Sequence, residues 1–346
     1  MNLKSLRNPD LYHGRRARQY FEGWYFKLAD AKMENVLAFI PGVFFSPDAD
    51  YSHAFIQVVD GTNRTFRYER FPAEQFGADK DEFALAVGEN RFGRRGLSFN
   101  LNRPGAAISG ELTFSGHLDW PDSFLNPGSM GFYNYIPRMQ CYSQVCAMDF
   151  DLAGTLDING REIDFSGGKG YIEKNWGAAF PFSWTWVQCN HFQKERASLS
   201  CSLAHIPFLW GSFRGFLVGL HVGGTFYEFT TMNRSRVSLE QKGSDVKMLL
   251  TNRRYSLSIE TETRGKDFIL LHGPRGKQMI PLVHENLQGL VYLELKENST
   301  GNIIFEDSSR CAGVEYGGRQ MVILDQFEEG WAEAAREFRA MPSPGN

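Results

Sequence analysis

The chain has little that would cross-link it, anchor it in a membrane or draw it to a polyanion. Its five cysteines, Cys141, Cys146, Cys189, Cys201 and Cys311, are odd in number, scattered, and never spaced as Cys-x-x-Cys. That excludes a disulfide framework and reads as reduced thiols in a cytoplasmic protein. No apolar run approaches the roughly 20 residues that a membrane-crossing helix needs, so no integral membrane segment is expected. The opening stretch MNLKSLRNPDLYHGRR lacks the apolar centre of a secretory signal. A net charge of −3 with no basic run leaves no footprint for nucleic acid.

Catalytic signatures are missing too. There is no Gly-x-Ser-x-Gly, and GSMG at 128–131 lacks its spacing. HGPRGKQ at 272–278 has too few residues between its glycines for a phosphate-binding loop and Gln after its Lys, so it reads as a turn. No His-Glu-x-x-His and no Cys/His cluster points to a metal, and nothing points to a cofactor. The eight histidines are scattered. His53, His191, His205 and His221 lie in strand-like runs, where a hydrogen-bonded core histidine is the ordinary outcome.

What the chain does have is rings and glycines: 14% aromatic residues, 29 Phe and 35 Gly in 346 residues. Many of both suit β-structure with tight turns. Strand-like runs recur from residue 20 to 114 and again from 197 to 307, with Asp60-Gly61 and Asn159-Gly160 as hairpin signals. The run at 36–45 is broken by Pro41-Gly42, 133–145 reads as extended, and 207–214 reads as a loop. No period repeats strictly, which excludes a propeller or solenoid. The expected fold is all-β, with two antiparallel β-barrel or sandwich domains. Its parts are an arm at 1–19, domains at 20–180 and 181–324, and a helix at 325–341. In the helix Phe327, Trp331, Ala334, Ala335 and Phe338 recur at helical spacing between a cap at Asp325 and a stop at Pro342.

The densest chemistry lies at 168–192, GKGYIEKNWGAAFPFSWTWVQCNHF. After Pro181, alternation puts Trp184, Trp186, Gln188 and Asn190 on one strand face. Two indoles followed by two carboxamides form either a core face with a polar end or the wall of a ligand cavity. Before Pro181, Tyr171, Glu173 and Asn175 share one face and Ile172, Lys174 and Trp176 the other, so Glu173 and Lys174 cannot pair. In 20–28, Glu22 shares a face with Tyr20, Trp24 and Phe26. A carboxyl among rings loses hydration and its pKa rises; alternatively Glu22 sits at a barrel rim, solvated or paired with an Arg. In 133–145, Arg138, Gln140, Tyr142 and Gln144 form a polar line.

Four blocks resemble signatures of the tocopherol cyclase family and its bacterial relatives. They are YFEGWYFK from Tyr20, MGFYNYIPRMQCYSQV from Met130, GYIEKNWGAAFPFSWTWVQCNHF from Gly170 and GVEYGG from Gly313. The resemblance implies a lipocalin-like architecture of two barrel-like β-domains around an apolar cavity, although bacterial members need not make tocopherol. It also implies a reaction in which an acid protonates a trisubstituted alkene and a phenol oxygen captures the tertiary cation. On that reading Glu173 and Glu22 are the candidate general acids. Trp184 and Trp186 would face the cation, and Gln188 and Asn190 would orient a quinol oxygen. Trp24, Gln140, Tyr142 and Asn175 complete the expected ligand-binding set. The expected partner is a hydrophobic small molecule of prenyl, quinol or polycyclic type, without a cofactor. The alternative is a non-catalytic lipocalin-type carrier or sensor of an apolar ligand.

Overall fold

Alternating segments become strands, and turn residues become hairpins. The computed structural model describes residues 3–14, 17–137, 139–208 and 211–318. Among these the only α-helix is the five-residue Leu3–Arg7, and no helix is long and apolar enough to cross a membrane. The chain divides into two compact units. The first is Met1–Phe180 with Lys277–Ile280, the second Pro181–Gly276 with Pro281–Asn346. The helix expected at 325–341 lies outside the described residues, as does Arg138.

The first sheet contains β1 (Tyr20–Ala29), β2 (Val36–Phe45), β3 (His53–Asp60), β4 (Thr65–Phe71), β5 (Phe76–Ala78), β6 (Ala84–Val87), β7 (Asn90–Gly93), β8 (Gly96–Arg103), β9 (Ala106–Leu118), β10 (Cys141–Ile158), β11 (Arg161–Asp164) and β12 (Lys169–Gly177). Its order is β4-β3-β2-β1-β12-β10-β9-β8-β7-β6-β5, with β11 on β10. Two antiparallel meanders, β1–β4 and β5–β10, are thus joined through β12, which lies between β1 and β10. The sheet folds back on itself. In a flat sheet β2 and β8, five strands apart, would be separated by about 24 Å. Instead the rings of Phe39 and Phe99 lie 4.7 Å apart. The enclosed core carries Trp24, Phe26, Phe92, Phe114 and Phe150.

The second sheet contains β13 (Ser183–Cys189), β14 (Ala197–Phe208), β15 (Gly211–Val222), β16 (Thr225–Thr230), β17 (Arg236–Lys242), β18 (Asp245–Thr251), β19 (Tyr255–Glu262), β20 (Ile269–Arg275), β21 (Gln278–Glu297) and β22 (Ile303–Gly318). Its order, β16-β15-β14-β13-β22-β21-β19-β18-β17 with β20 on β21, repeats the plan of the first: the last strand enters beside the first. This sheet curls as well. Sγ of Cys201 on β14 and Sδ of Met248, five strands away on β18, are 3.9 Å apart.

Several local expectations change. Pro41-Gly42 does not interrupt β2, which pairs continuously with β3 through Pro41↔Ile56 and Gly42↔Phe55. Gly42 answers a shortage of space: a Cβ there would lie 2.6 Å from the Phe55 ring and 2.7 Å from the Glu22 carbonyl oxygen. Gly42→Ala should therefore cost about 1–3 kcal/mol through overpacking, read as a lower urea midpoint at unchanged slope. The 133–145 run is not one strand: a 3-10 turn covers Gly131–Tyr135 and β10 begins at Cys141. Within the loop expected at 207–214, the described residues are paired strand, with Phe208 opposite Gly211. The runs at 291–296 and 303–307 are pieces of the much longer β21 and β22, so GVEYGG is the end of a strand. Asn159 and Gly160 both take positive φ (55° and 81°), as a two-residue hairpin turn requires.

Candidate functional site

In the first unit, register builds a polar cluster at one end of the apolar core. Strand β1 sets Glu22 opposite Trp176 and Trp24 opposite Lys174 of β12. Glu22 and Lys174 are both fully buried, with Nζ 2.6 Å from Oε1. The N-terminal arm completes their shell. Lys174 Nζ donates to the carbonyls of Pro9 (2.9 Å) and Leu11 (2.5 Å) and lies 2.8 Å from His13 Nδ1. Glu22 accepts the His13 backbone N–H (2.9 Å) and the Tyr20 hydroxyl (2.5 Å). The ammonium sits 4.8 Å from the ring centroids of both Trp24 and Trp176, and Trp176 stacks on His13 and Tyr142.

Electrostatics here reverse the expectation for Glu22. Burial pushes its pKa up, but Lys174 and then His13 outweigh burial and hold it down at about 2. Burial pulls Lys174 below the usual lysine value, with Glu22 opposing. Each charge is the other's main compensation. Glu22 is a carboxylate that clamps the arm, held by a lysine rather than an arginine. Beside it, burial raises Asp10 to about 6, against its hydrogen bond from Gln144 (2.9 Å) and the charge of Arg94.

The ten residues singled out in the sequence fall into separate places. Trp24 and Tyr142 join Glu22; the Trp24 indole donates to the Asp10 carbonyl (3.3 Å) and the Tyr142 hydroxyl to that of Ile136 (2.7 Å). Gln140 is not with them. Its amide donates to the Phe180 carbonyl (3.2 Å), tying down the turn before Pro181. Glu173 and Asn175 lie on the opposite face of β12. There Glu173 accepts the Tyr171 hydroxyl (2.7 Å), the Ser143 hydroxyl (3.2 Å) and the Asn175 amide (3.3 Å). The two candidate acids are thus on opposite sides of one sheet.

Trp184, Trp186 and Gln188 share a face of β13 that turns away from the apolar core of the second unit, into which Val187 and Cys189 point. All three are buried, as is Asn190 just past the strand, whose Oδ1 lies 3.0 Å from His191 Nδ1. Register adds residues that alternation along one strand could not reveal. Trp186 faces Ser202 of β14 on one side and Glu315 of β22 on the other, and Glu315 faces Glu285 of β21. The Trp184 indole N–H donates to Glu315 Oε1. Its ring lies over Gly317, where a Cβ would meet it at 2.0 Å.

A family model described as tocopherol cyclase-like matches residues 104–318. The chain belongs to the tocopherol cyclase-like family. A rice protein (Oryza sativa subsp. japonica) named "Probable tocopherol cyclase, chloroplastic" is 24% identical over 379 residues, covering 91% of this chain and 79% of its own. The maize (Zea mays) "Tocopherol cyclase, chloroplastic" is 25% identical over 386 residues, covering 91% and 78%. Among solved structures, CghA with Sch210972 matches 88% of this chain and 90% of its own at 12% identity and a TM-score of 0.53. At that identity the likeness concerns the fold. The blocks that carry the tocopherol cyclase resemblance fall on β1 and β12, on β13 and β22, and on the approach to β10. They are the strands that close each unit.

Proposed function

We propose that this protein binds an apolar small molecule of prenyl, quinol or polycyclic type and isomerises it by acid catalysis, as a cyclase. The observation that carries the reading is the outward face of β13, where two indoles stand beside a carboxyl that one of them contacts. Acid-promoted cyclisation needs a proton donor next to a wall that tolerates a carbocation, and indole faces provide the wall. Gln188, Asn190 and Ser202 add polar groups able to orient a quinol oxygen. Membership of the family supports the reaction class, and the burial of all five cysteines suits a reducing, cytoplasmic setting. Glu22 has no part in the chemistry, being held ionised by Lys174. Glu173 remains a candidate acid on the other sheet.

A hydroquinone bearing a dimethylallyl chain, dispersed in detergent, is a suitable probe. It should quench tryptophan emission, and ring closure should appear as a chroman of unchanged mass but new retention time. The Trp184→Phe/Trp186→Phe variant should weaken binding several-fold, since each phenyl ring covers less of the ligand than the indole it replaces. Binding without ring closure would favour the carrier instead. A quench that survives both substitutions would make this face ordinary packing.

A further inference from the structure

Exposed apolar side chains gather in the connection from β9 to β10. There Phe124 and Leu125 are 77% and 74% exposed, and Phe132 and Tyr135 44% each. Exposed rings scattered singly are ordinary, but a cluster marks contact with something outside the protein. Local structure makes these four a cluster. The chain loops back on itself at 123–126, where the Ser123 N–H donates to the Asn126 carbonyl (3.1 Å) and the Asn126 N–H to Ser123 Oγ (3.2 Å). Phe124 and Leu125 therefore stand at the tip, where Asn, Asp and Gly are the usual residues. Phe132 and Tyr135 lie three apart on the 3-10 turn Gly131–Tyr135, a spacing that aligns them on one side. The Tyr135 hydroxyl donates to the Phe124 carbonyl (2.9 Å) and joins the two pieces.

We propose that this loop docks the protein on a lipid bilayer, seating Phe124 and Leu125 in the interfacial zone. Charge favours a bilayer over a protein partner. Residues 123–137 carry no charge at all, and the acids at the root of the loop are paired, Asp122 with Arg7 (2.7 Å) and Asp119 with Arg94 (2.6 Å). The surface thus offers nothing for a charged partner to read and nothing that lipid would repel. The backbone favours a bilayer too. The loop bonds peptide groups of its own tip internally, as a segment entering an apolar medium must. The residue types are also those of a bilayer surface, an apolar pair at the tip with a tyrosine beside it. The base beneath is fixed: the Ser129 N–H donates to Gln144 Oε1 (2.9 Å), the Val145 N–H to Ser129 Oγ (3.1 Å) and the Asn134 amide to the Pro127 carbonyl (2.5 Å). Docking therefore has little chain left to order. An apolar ligand partitions into lipid, so the loop brings the protein to where such a ligand is found. The docking itself does not depend on what the protein then does with it.

The test uses the full chain and phosphatidylcholine vesicles without added ligand, with partitioning read by co-flotation. Wild type should float with the vesicles, and Phe124→Ser/Leu125→Ser should partition at least about tenfold more weakly, having lost two apolar side chains from the bilayer. Raising NaCl to about 0.5 M should change wild-type partitioning by less than about twofold, because no ion pair with the headgroups is involved. Tyr292→Ser/Ile303→Ser, which removes two exposed apolar side chains from the second unit, should float as wild type does. All five native cysteines are buried, so Asn126→Cys can carry a polarity-sensitive fluorophore at the tip, and its emission should shift to the blue on vesicles. Equal flotation of wild type and the Phe124→Ser/Leu125→Ser variant, or a tip fluorophore whose emission vesicles leave unchanged, overturns the proposal. So does flotation that needs anionic lipid and disappears in salt. A wild type that forms dimers without vesicles, which the tip substitutions abolish, would give the loop to a second copy of the chain instead.

Discussion

Lys174→Met should lower the unfolding free energy by about 3–5 kcal/mol, the usual effect of removing one partner of a buried ion pair. The loss follows from what stays behind. Glu22 would remain buried with the Tyr20 hydroxyl and the amide and ring of His13 for company, and the carbonyls of Pro9 and Leu11 would lose their donor. The arm should loosen as well, seen as faster hydrogen exchange at the His13 amide. Glu22→Gln/Lys174→Met should recover most of the stability, since it removes both charges and leaves shapes of similar volume. A single variant within about 1 kcal/mol of wild type would mean that the pair does not hold the arm.

The second large effect is a stability profile with opposing slopes in acid. Glu22 has a folded pKa of about 2 against an ordinary value of 4.5, so the unfolded chain binds the proton more readily. Its contribution is complete above 4.5 and is lost as pH falls towards 2, roughly 3 kcal/mol in all. Asp10 does the reverse. Its folded pKa is about 6 against 3.8, so the fold favours the protonated form, and stability declines as pH rises from 3.8 through 6. Together they place a local maximum between about pH 4 and 5. Urea midpoints from pH 2 to 7 should show it. Asp10→Asn should flatten the upper slope alone and Glu22→Gln the lower slope alone. A wild-type profile rising monotonically from pH 2 to 7 would be incompatible with a buried, raised Asp10.

The fold class was legible because alternation and turn chemistry are local. Asn159-Gly160 announces its hairpin, and the faces of 171–176 and 184–190 follow from period two. Register was not legible. Lys174 was correctly separated from Glu173, but its partner lies on β1, and only the pairing of Trp24 with Lys174 brings Glu22 within reach. The arm residues Asp10 and His13 carried no periodic signal at all. Glu315 stood in the sequence only as part of the GVEYGG block: β22 continues eleven residues past the run at 303–307, to Gly318, and only its pairing with β13 sets Glu315 opposite Trp186. Gly42 was misread likewise, since a glycine needed for close approach and one needed for a bend look alike in sequence.

The position of β12 has a consequence for synthesis. The strand that seals the first unit is the last of that sheet to be made, and it enters at the middle. At about 5–20 residues per second, the separation of 161 positions between His13 and Lys174 corresponds to roughly 8–30 s of translation. Through that interval β1–β4 and β5–β10 have no strand to connect them, and the β1 edge that will receive β12 stands open. Glu22 meanwhile keeps its hydration, since its cation has not yet been made. The unit should therefore gain protease resistance in one late step, when ribosome-bound chains lengthen past Gly177, rather than by increments as each hairpin emerges.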